Sequence, residues 1–170
     1  VTGLTTVINI TPVTHLASLK NTAPSSTNIA AINTAVGDAF GLRDITTTSV
    51  ITVTNPLYGA TTTKDNSRNY GDVLAALSGM DAKAASSTLA TLASVAKDIT
   101  VTGTTASITE TSKAQIVDGA QAAAGTQQPL ANLKANVIEL IRATVQTNAL
   151  LKIANYADNS ANPVPTLDDY

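Results

Sequence analysis

His15 is the only imidazole in this 170-residue chain, and it is the natural place to look for acid-base chemistry. With Asp38 or Asp44 and one of the many serines, it would supply the parts of a hydrolytic triad. No Gly-X-Ser-X-Gly elbow or comparable signature accompanies it. The pattern therefore favours a packed or capping histidine, and the sequence predicts no catalytic residue and no enzyme.

Oxygen ligands for calcium occur as short acidic or Asx pairs in three places. These pairs are Asp65-Asn66, Asp158-Asn159 and Asp168-Asp169. None has the graded carboxylate spacing and the glycine of an EF-hand loop, so ordinary turns and a solvated tail explain them as well. The chain has no Cys, which excludes thiolate metal sites and disulfides. The sequence predicts no cofactor, with calcium at these pairs as the alternative.

Four tyrosines would form a carbohydrate platform if they met on one surface. They are Tyr58, Tyr70, Tyr156 and Tyr170, and their separation in sequence gives no reason to expect that meeting. We expect Tyr70 and Tyr156 to be half-buried at helix ends, with their hydroxyls in water.

Composition excludes several classes of partner. Hydrophobic residues make up 44% of the chain but aromatic residues only 3%, and the ten Lys and Arg are dispersed against twelve Asp and Glu. Without a basic stripe, binding to nucleic acid has little electrostatic support. No apolar run approaches the roughly 18 residues of a membrane span, so no membrane insertion is predicted. The Thr- and Ser-rich, charge-poor character is typical of extracellular bacterial surface proteins.

The β-branched alternation of residues 4–10 predicts an extended, strand-like segment, and we call residues 1–11 the arm. Thr11 as a cap and Pro12 at the first helical position predict a helix over 12–20. Apolar periodicity predicts five further helices, at about 26–40, 70–81, 83–97, 107–124 and 129–156. Residues 45–53 fit irregular extended chain or a short strand.

The predicted fold class is therefore mainly α. It is a bundle of five or six helices over residues 12–156, with the extended arm at 1–11 and a linker or tail at 157–170 that carries two prolines.

The arm is the most suggestive segment for function. It has no obvious strand partner in a helical domain, and an unpaired strand edge favours addition to another sheet. The alternatives are a small ribbon with residues 45–53, or membership of a preceding domain. The apolar residues Leu4, Val7, Ile8 and Ile10 are the predicted assembly interface.

Three stretches carry a family resemblance. They are residues 9–17 (NITPVTHLA), residues 32–42 with 44–48 (INTAVGDAFGL and DITTT), and residues 70–81 (YGDVLAALSGMD). Together they resemble an alanine-rich helical module of very large secreted adhesins and other repeat-containing surface proteins of Gram-negative bacteria. The likeness covers about residues 9–81 in order and becomes vaguer to about 155.

This resemblance implies an extracellular, non-enzymatic role in adhesion, biofilm matrix or a surface filament, and it brings no functional residues with it. The expected partners are other copies of the chain or neighbouring domains of a longer surface protein. The alternative function is a recognition module for a cell-surface glycan or peptide, assisted by calcium at Asp65 or at the tail aspartates.

Overall fold

The computed structural model describes residues 8–60, 65–125 and 130–141, and this part of the chain is mainly helical, as predicted. Six helices have defined bounds: α1 (Pro12–Lys20), α2 (Ser26–Ala39), α3 (Pro56–Ala60), α4 (Asn66–Ala84), α5 (Thr88–Lys97) and α6 (Glu110–Ala124). A further helix, α7, covers 133–141. Two short strands, β1 (Ile99–Thr102) and β2 (Thr105–Ile108), complete the fold.

Small polar residues set where the helices begin. Thr11, Ser25, Asp65, Ser87 and Thr109 each accept a hydrogen bond from the backbone N–H three residues later. Such caps satisfy amide groups that have no partner inside the helix. For α1 the predicted cap and the predicted bounds, 12–20, are confirmed.

The bundle is built around α4, whose backbone touches that of α6. A Cβ atom added to Gly79 would lie 1.9 Å from the carbonyl oxygen of Gly119, and one added to Gly119 would lie 2.3 Å from that of Ala76. The predicted helix end near Gly79 is therefore wrong. This glycine provides space for a helix crossing, and α4 continues to Ala84, where it is capped by Ala85 in a left-handed conformation with φ of 47°.

The sequence analysis places no strand between the helices predicted at 83–97 and 107–124, and this is wrong, because residues 99–108 form an antiparallel hairpin. Gly103 has a φ of 59° at the first position of the two-residue loop, as a type II′ turn requires. Ile99, Ala106 and Ile108 point into the core, where the hairpin packs against α2. The helix predicted from 107 accordingly begins only at Glu110.

Other boundaries also differ from expectation. The short α3 was not predicted, and seven helical segments occur in the described part of the chain instead of five or six. Residues 45–53 form turns and irregular chain. The predicted tail at 157–170 and the last part of the predicted final helix lie outside the described residues. None of the described helices combines the length and apolar character needed to cross a bilayer.

Replacing Gly79 with Ala should lower the free energy of unfolding by about 2–3 kcal/mol, because the new methyl group meets backbone atoms of α6 that cannot rotate away. Urea denaturation followed by circular dichroism measures this. Ser78→Ala, at the exposed neighbouring position, is the matched control and should change stability by less than about 0.5 kcal/mol. Equal stability of the two variants would contradict the close crossing.

Candidate functional site

The described end of the arm is hydrogen-bonded to one loop of the domain. The backbone N–H of Asn9 donates to the carbonyl oxygen of Thr46 at 2.7 Å. Its side-chain Nδ2 donates to the carbonyl oxygen of Thr48 at 2.5 Å and to that of Ile45 at 3.4 Å. These bonds fix Asn9 in place. One predicted alternative is a two-stranded ribbon between the arm and residues 45–53. Among the described residues, only one backbone hydrogen bond, from Asn9 to Thr46, joins these two segments.

The hydroxyl of Tyr70 makes the second attachment. This side chain of α4 is fully buried, and its O–H donates to the carbonyl oxygen of Ile45 at 3.0 Å. The Thr11 hydroxyl lies 2.5 Å away and serves as donor to the phenol oxygen. Thr11 also caps α1 by accepting from the N–H of Thr14. One phenol therefore joins the arm, the loop and α4.

The loop that receives the arm is itself held in place. Asp44 has a φ of 47°, and its carbonyl oxygen accepts the N–H groups of Thr47 and Thr48 at 3.0 and 2.9 Å. From the start of α4, Asn66 accepts the N–H of Arg43 at 2.9 Å and donates to its carbonyl oxygen at 2.6 Å. The arm is thus attached to a surface that is already ordered.

Between these attachments lies an exposed apolar side chain. Asn9 and Thr11 are both hydrogen-bonded to the domain, yet Ile10 between them is 96% exposed. Ile8 is 64% exposed. Side chains two residues apart in an extended chain project to the same side, so the two isoleucines form one apolar edge.

The backbone of this edge is also unpaired. Within the described part of the chain, no hydrogen bond uses the N–H or C=O groups of Ile8 or Ile10. Two of the four predicted interface residues are therefore exposed, with polar backbone groups that remain available. The other two, Leu4 and Val7, lie outside the described residues.

A second polar cluster surrounds Asp72, two residues beyond Tyr70 on α4. The Tyr58 hydroxyl donates to Asp72 Oδ1, and Asn136 Nδ2 donates to Oδ2 at 3.1 Å. The guanidinium of Arg68 lies 4.8 Å from the centre of the Tyr58 ring, within cation–π range. Because Asp72 is fully buried, we interpret this cluster as a link between α3, α4 and α7 that maintains the fold.

The environment of the two tyrosines keeps both phenols protonated. Burial raises the pKa of Tyr70 and of Tyr58, and the hydrogen bond to the Asp72 carboxylate raises the pKa of Tyr58 further. A tyrosine with an ordinary pKa is already protonated at neutral pH, and the raised pKa values extend the range in which these hydroxyls donate to Ile45 and Asp72 to higher pH.

The residues considered for a triad are not brought together. His15 is half-buried on α1, while Asp38 and Asp44 are exposed. The hydrogen bonds of His15 are made by its backbone: its N–H donates to the carbonyl oxygen of Thr11, and its carbonyl oxygen accepts the Ser18 hydroxyl.

The residues considered for calcium have structural partners. Asp65 caps α4 by accepting the N–H of Arg68 at 2.9 Å, and the Asn66 side chain is engaged with the loop. In the part of the chain that the structure describes, no three His, Cys, Asp or Glu side chains group as metal ligands would. The pairs at 158–159 and 168–169 lie outside that part.

The tyrosine platform is contradicted for the two described members. Tyr58 and Tyr70 are buried, with their hydroxyls bonded inside the protein. The expectation that the Tyr70 hydroxyl meets water is wrong because Thr11 and Ile45 satisfy it. Tyr156 and Tyr170 are outside the described residues.

No family model, curated protein or solved structure matches this chain. The arm attachment brings together residues from three stretches of the sequence, 9–17, 32–48 and 70–81. Asn9 and Thr11 belong to the first stretch, Ile45 to the second and Tyr70 to the third, and all four meet at the arm attachment. The candidate site is thus the exposed apolar edge of Ile8 and Ile10, held against a helical domain by Asn9 and Thr11.

Sequence reasoning missed the two anchors of this site, Asn9 and Tyr70. The available signal was chemical: Asn9 is the one amide in a run of alternating apolar residues, where a side chain facing the domain needs a polar partner. Tyr70 gave no comparable signal, because its hydroxyl partners come from positions 25 and 59 residues away.

Replacing Tyr70 with Phe should lower the free energy of unfolding by about 1–2 kcal/mol, since the buried Ile45 carbonyl and the Thr11 hydroxyl lose their shared partner. Chemical denaturation measures the change. Ser49→Ala removes a hydroxyl from an exposed position near the same loop and should stay within about 0.5 kcal/mol of the parent. A Tyr70→Phe variant as stable as the control would refute the anchoring role.

Proposed function

We propose that this chain is a non-enzymatic structural unit of an extracellular bacterial surface assembly, such as a fibre, adhesin or biofilm matrix. It acts through protein contacts, and other copies of the chain are its partners. The observation that supports this is the 96% exposure of Ile10, which lies between two residues, Asn9 and Thr11, that are hydrogen-bonded to the domain. The resemblance of the surrounding stretches to adhesin modules supplies the extracellular setting.

Burial of the exposed isoleucines would contribute to association at this edge. Burying one exposed isoleucine contributes about 1.5–3 kcal/mol, and Ile8 stands beside Ile10. Ordering the backbone of a flexible residue costs roughly 1–2 kcal/mol of conformational entropy. Because Asn9 and Thr11 already hold this segment in the unassociated chain, association does not have to supply that free energy.

The charge of the chain offers little resistance to self-association. Its formal net charge is −2 over 170 residues, and charged residues form only 13% of the sequence. Repulsion between copies is weak when the net charge is so small. The apolar edge can therefore approach a second copy without a large electrostatic penalty.

The test is to replace Ile10 with Gln in the full chain and to measure self-association by sedimentation velocity at increasing concentration, with electron microscopy of the same samples. The parent chain should associate, and the variant should require about 10- to 100-fold higher concentration, as expected for the loss of one buried isoleucine. Thermal stability should not change, because the replaced side chain is exposed.

Leu89→Gln is the matched control, since Leu89 is 69% exposed on α5 and outside the arm. It should associate like the parent. A parent chain that stays monomeric at every concentration, or an Ile10→Gln variant that associates like the parent, would overturn the proposal. A monomer that binds an arrayed cell-surface glycan would instead support the recognition alternative.

A further inference from the structure

The outer edge of β1 is a second unpaired strand edge. In a hairpin with a two-residue loop, the residues flanking the loop are hydrogen-bonded to each other, and pairing then alternates. Thr102 with Thr105 and Thr100 with Ser107 therefore bond within the hairpin. The N–H and C=O groups of Val101 point away from β2. No hydrogen bond within the described residues uses them.

The inward face of the hairpin is less covered at β1 than at β2. Val101 on β1 is half-buried, whereas Ala106 opposite it on β2 is 5% exposed. The solvent face of both strands carries only hydroxyl side chains, at positions 100, 102, 105 and 107. The apolar side chains of β1, Ile99 and Val101, therefore lie on the opposite face. A strand added beside β1 would continue this apolar face next to Val101.

The unpaired backbone groups of the arm have the same spacing as those on the outer edge of β1. The free backbone groups of Ile8 and Ile10 are two residues apart, as are the outward-facing groups of Ile99 and Val101. Residues that face each other across paired strands place their side chains on the same side of the sheet. A strand pairing that satisfies the free backbone groups therefore also sets the two exposed isoleucines beside the apolar face of β1.

We propose that residues 8–10 of one copy add as a strand to the outer edge of β1 in a second copy. This inference rests on the proposed self-association and names the surface that receives the arm. The contact joins two different surfaces, so a pair of copies still has one free arm and one free β1 edge. Contacts of this heterologous kind produce open chains or rings.

The first test is Val101→Pro in the full chain. Proline removes the outward N–H and blocks an added strand, while the hydrogen bonds within the hairpin do not involve that group. Val101→Thr keeps the N–H in a side chain of similar shape and is the control. Sedimentation should show association weakened at least about tenfold for the proline variant alone, with the circular dichroism spectrum of the parent in both.

The second test keeps the proposal falsifiable if the proline variant fails to fold. A photoreactive benzophenone residue replaces Thr100 in nitrogen-15-labelled chain, which is mixed with unlabelled chain and irradiated. Mass spectrometry should find the crosslink to the tryptic peptide 1–20 of the other isotope. The same group at exposed Ser78 on α4 should not give that product.

The outcomes separate this inference from the proposed function. If Ile10→Gln abolishes association but position 100 never crosslinks to peptide 1–20, self-association through the arm stands and the β1 edge is refuted. If a folded Val101→Pro variant associates like the parent, the β1 edge is again refuted. If the parent does not associate at all, both proposals fail.

Discussion

The hydrogen-bonded hydroxyl of Tyr70 is the interaction on which the arrangement of this molecule depends. It joins the end of the arm, the loop at Ile45 and the central helix α4, which are far apart in sequence. The chain after this loop also passes close to α4, because a Cβ atom at Gly71 would lie 1.9 Å from the carbonyl oxygen of Ile51. A buried phenol without these partners would be costly, so the three segments stabilise one another.

Function follows from where this junction lies. Because Thr11 and Asn9 are both attached to the domain, the backbone at Ile10 between them keeps one orientation relative to the bundle. The exposed isoleucines are thus presented by a rigid support, as effective binding segments are. The buried Asp72 cluster strengthens that support from another side of α4, by linking it to α3 and α7.

Local signals predicted a large part of the fold. The bounds of α1 followed from Thr11 and Pro12, because capping and a fixed φ act within a few residues. The helical class followed from apolar periodicity. By contrast, Gly79 looked like a helix end because a glycine often follows the last turn of a helix. Its contact with Gly119 on α6 could not be predicted, because the two residues are 40 positions apart in the sequence. The hairpin did carry a local signal, Gly103 between two β-branched runs, and the helical context concealed it.

The site was predictable in one respect. Alternation in the arm identified Ile8 and Ile10, and both are exposed. Alternation alone gives no information on what holds an arm in place, since the carbonyl groups that bind Asn9 belong to a loop more than 30 residues away. The buried tyrosines were unpredictable for the same reason, because burial depends on which segments fold over a side chain.

The most direct test of this account is amide hydrogen exchange, measured residue by residue by NMR in dilute and in concentrated solution. In dilute solution, the Asn9 amide should be protected by Thr46, while the Ile10 amide exchanges at the rate of an unstructured chain. In concentrated solution, exchange at Ile8 and Ile10 should slow as their backbone groups pair with another copy. Fast exchange at Asn9 in dilute solution, or an Ile10 amide that stays unprotected in assembled material, would contradict an anchored arm that mediates assembly.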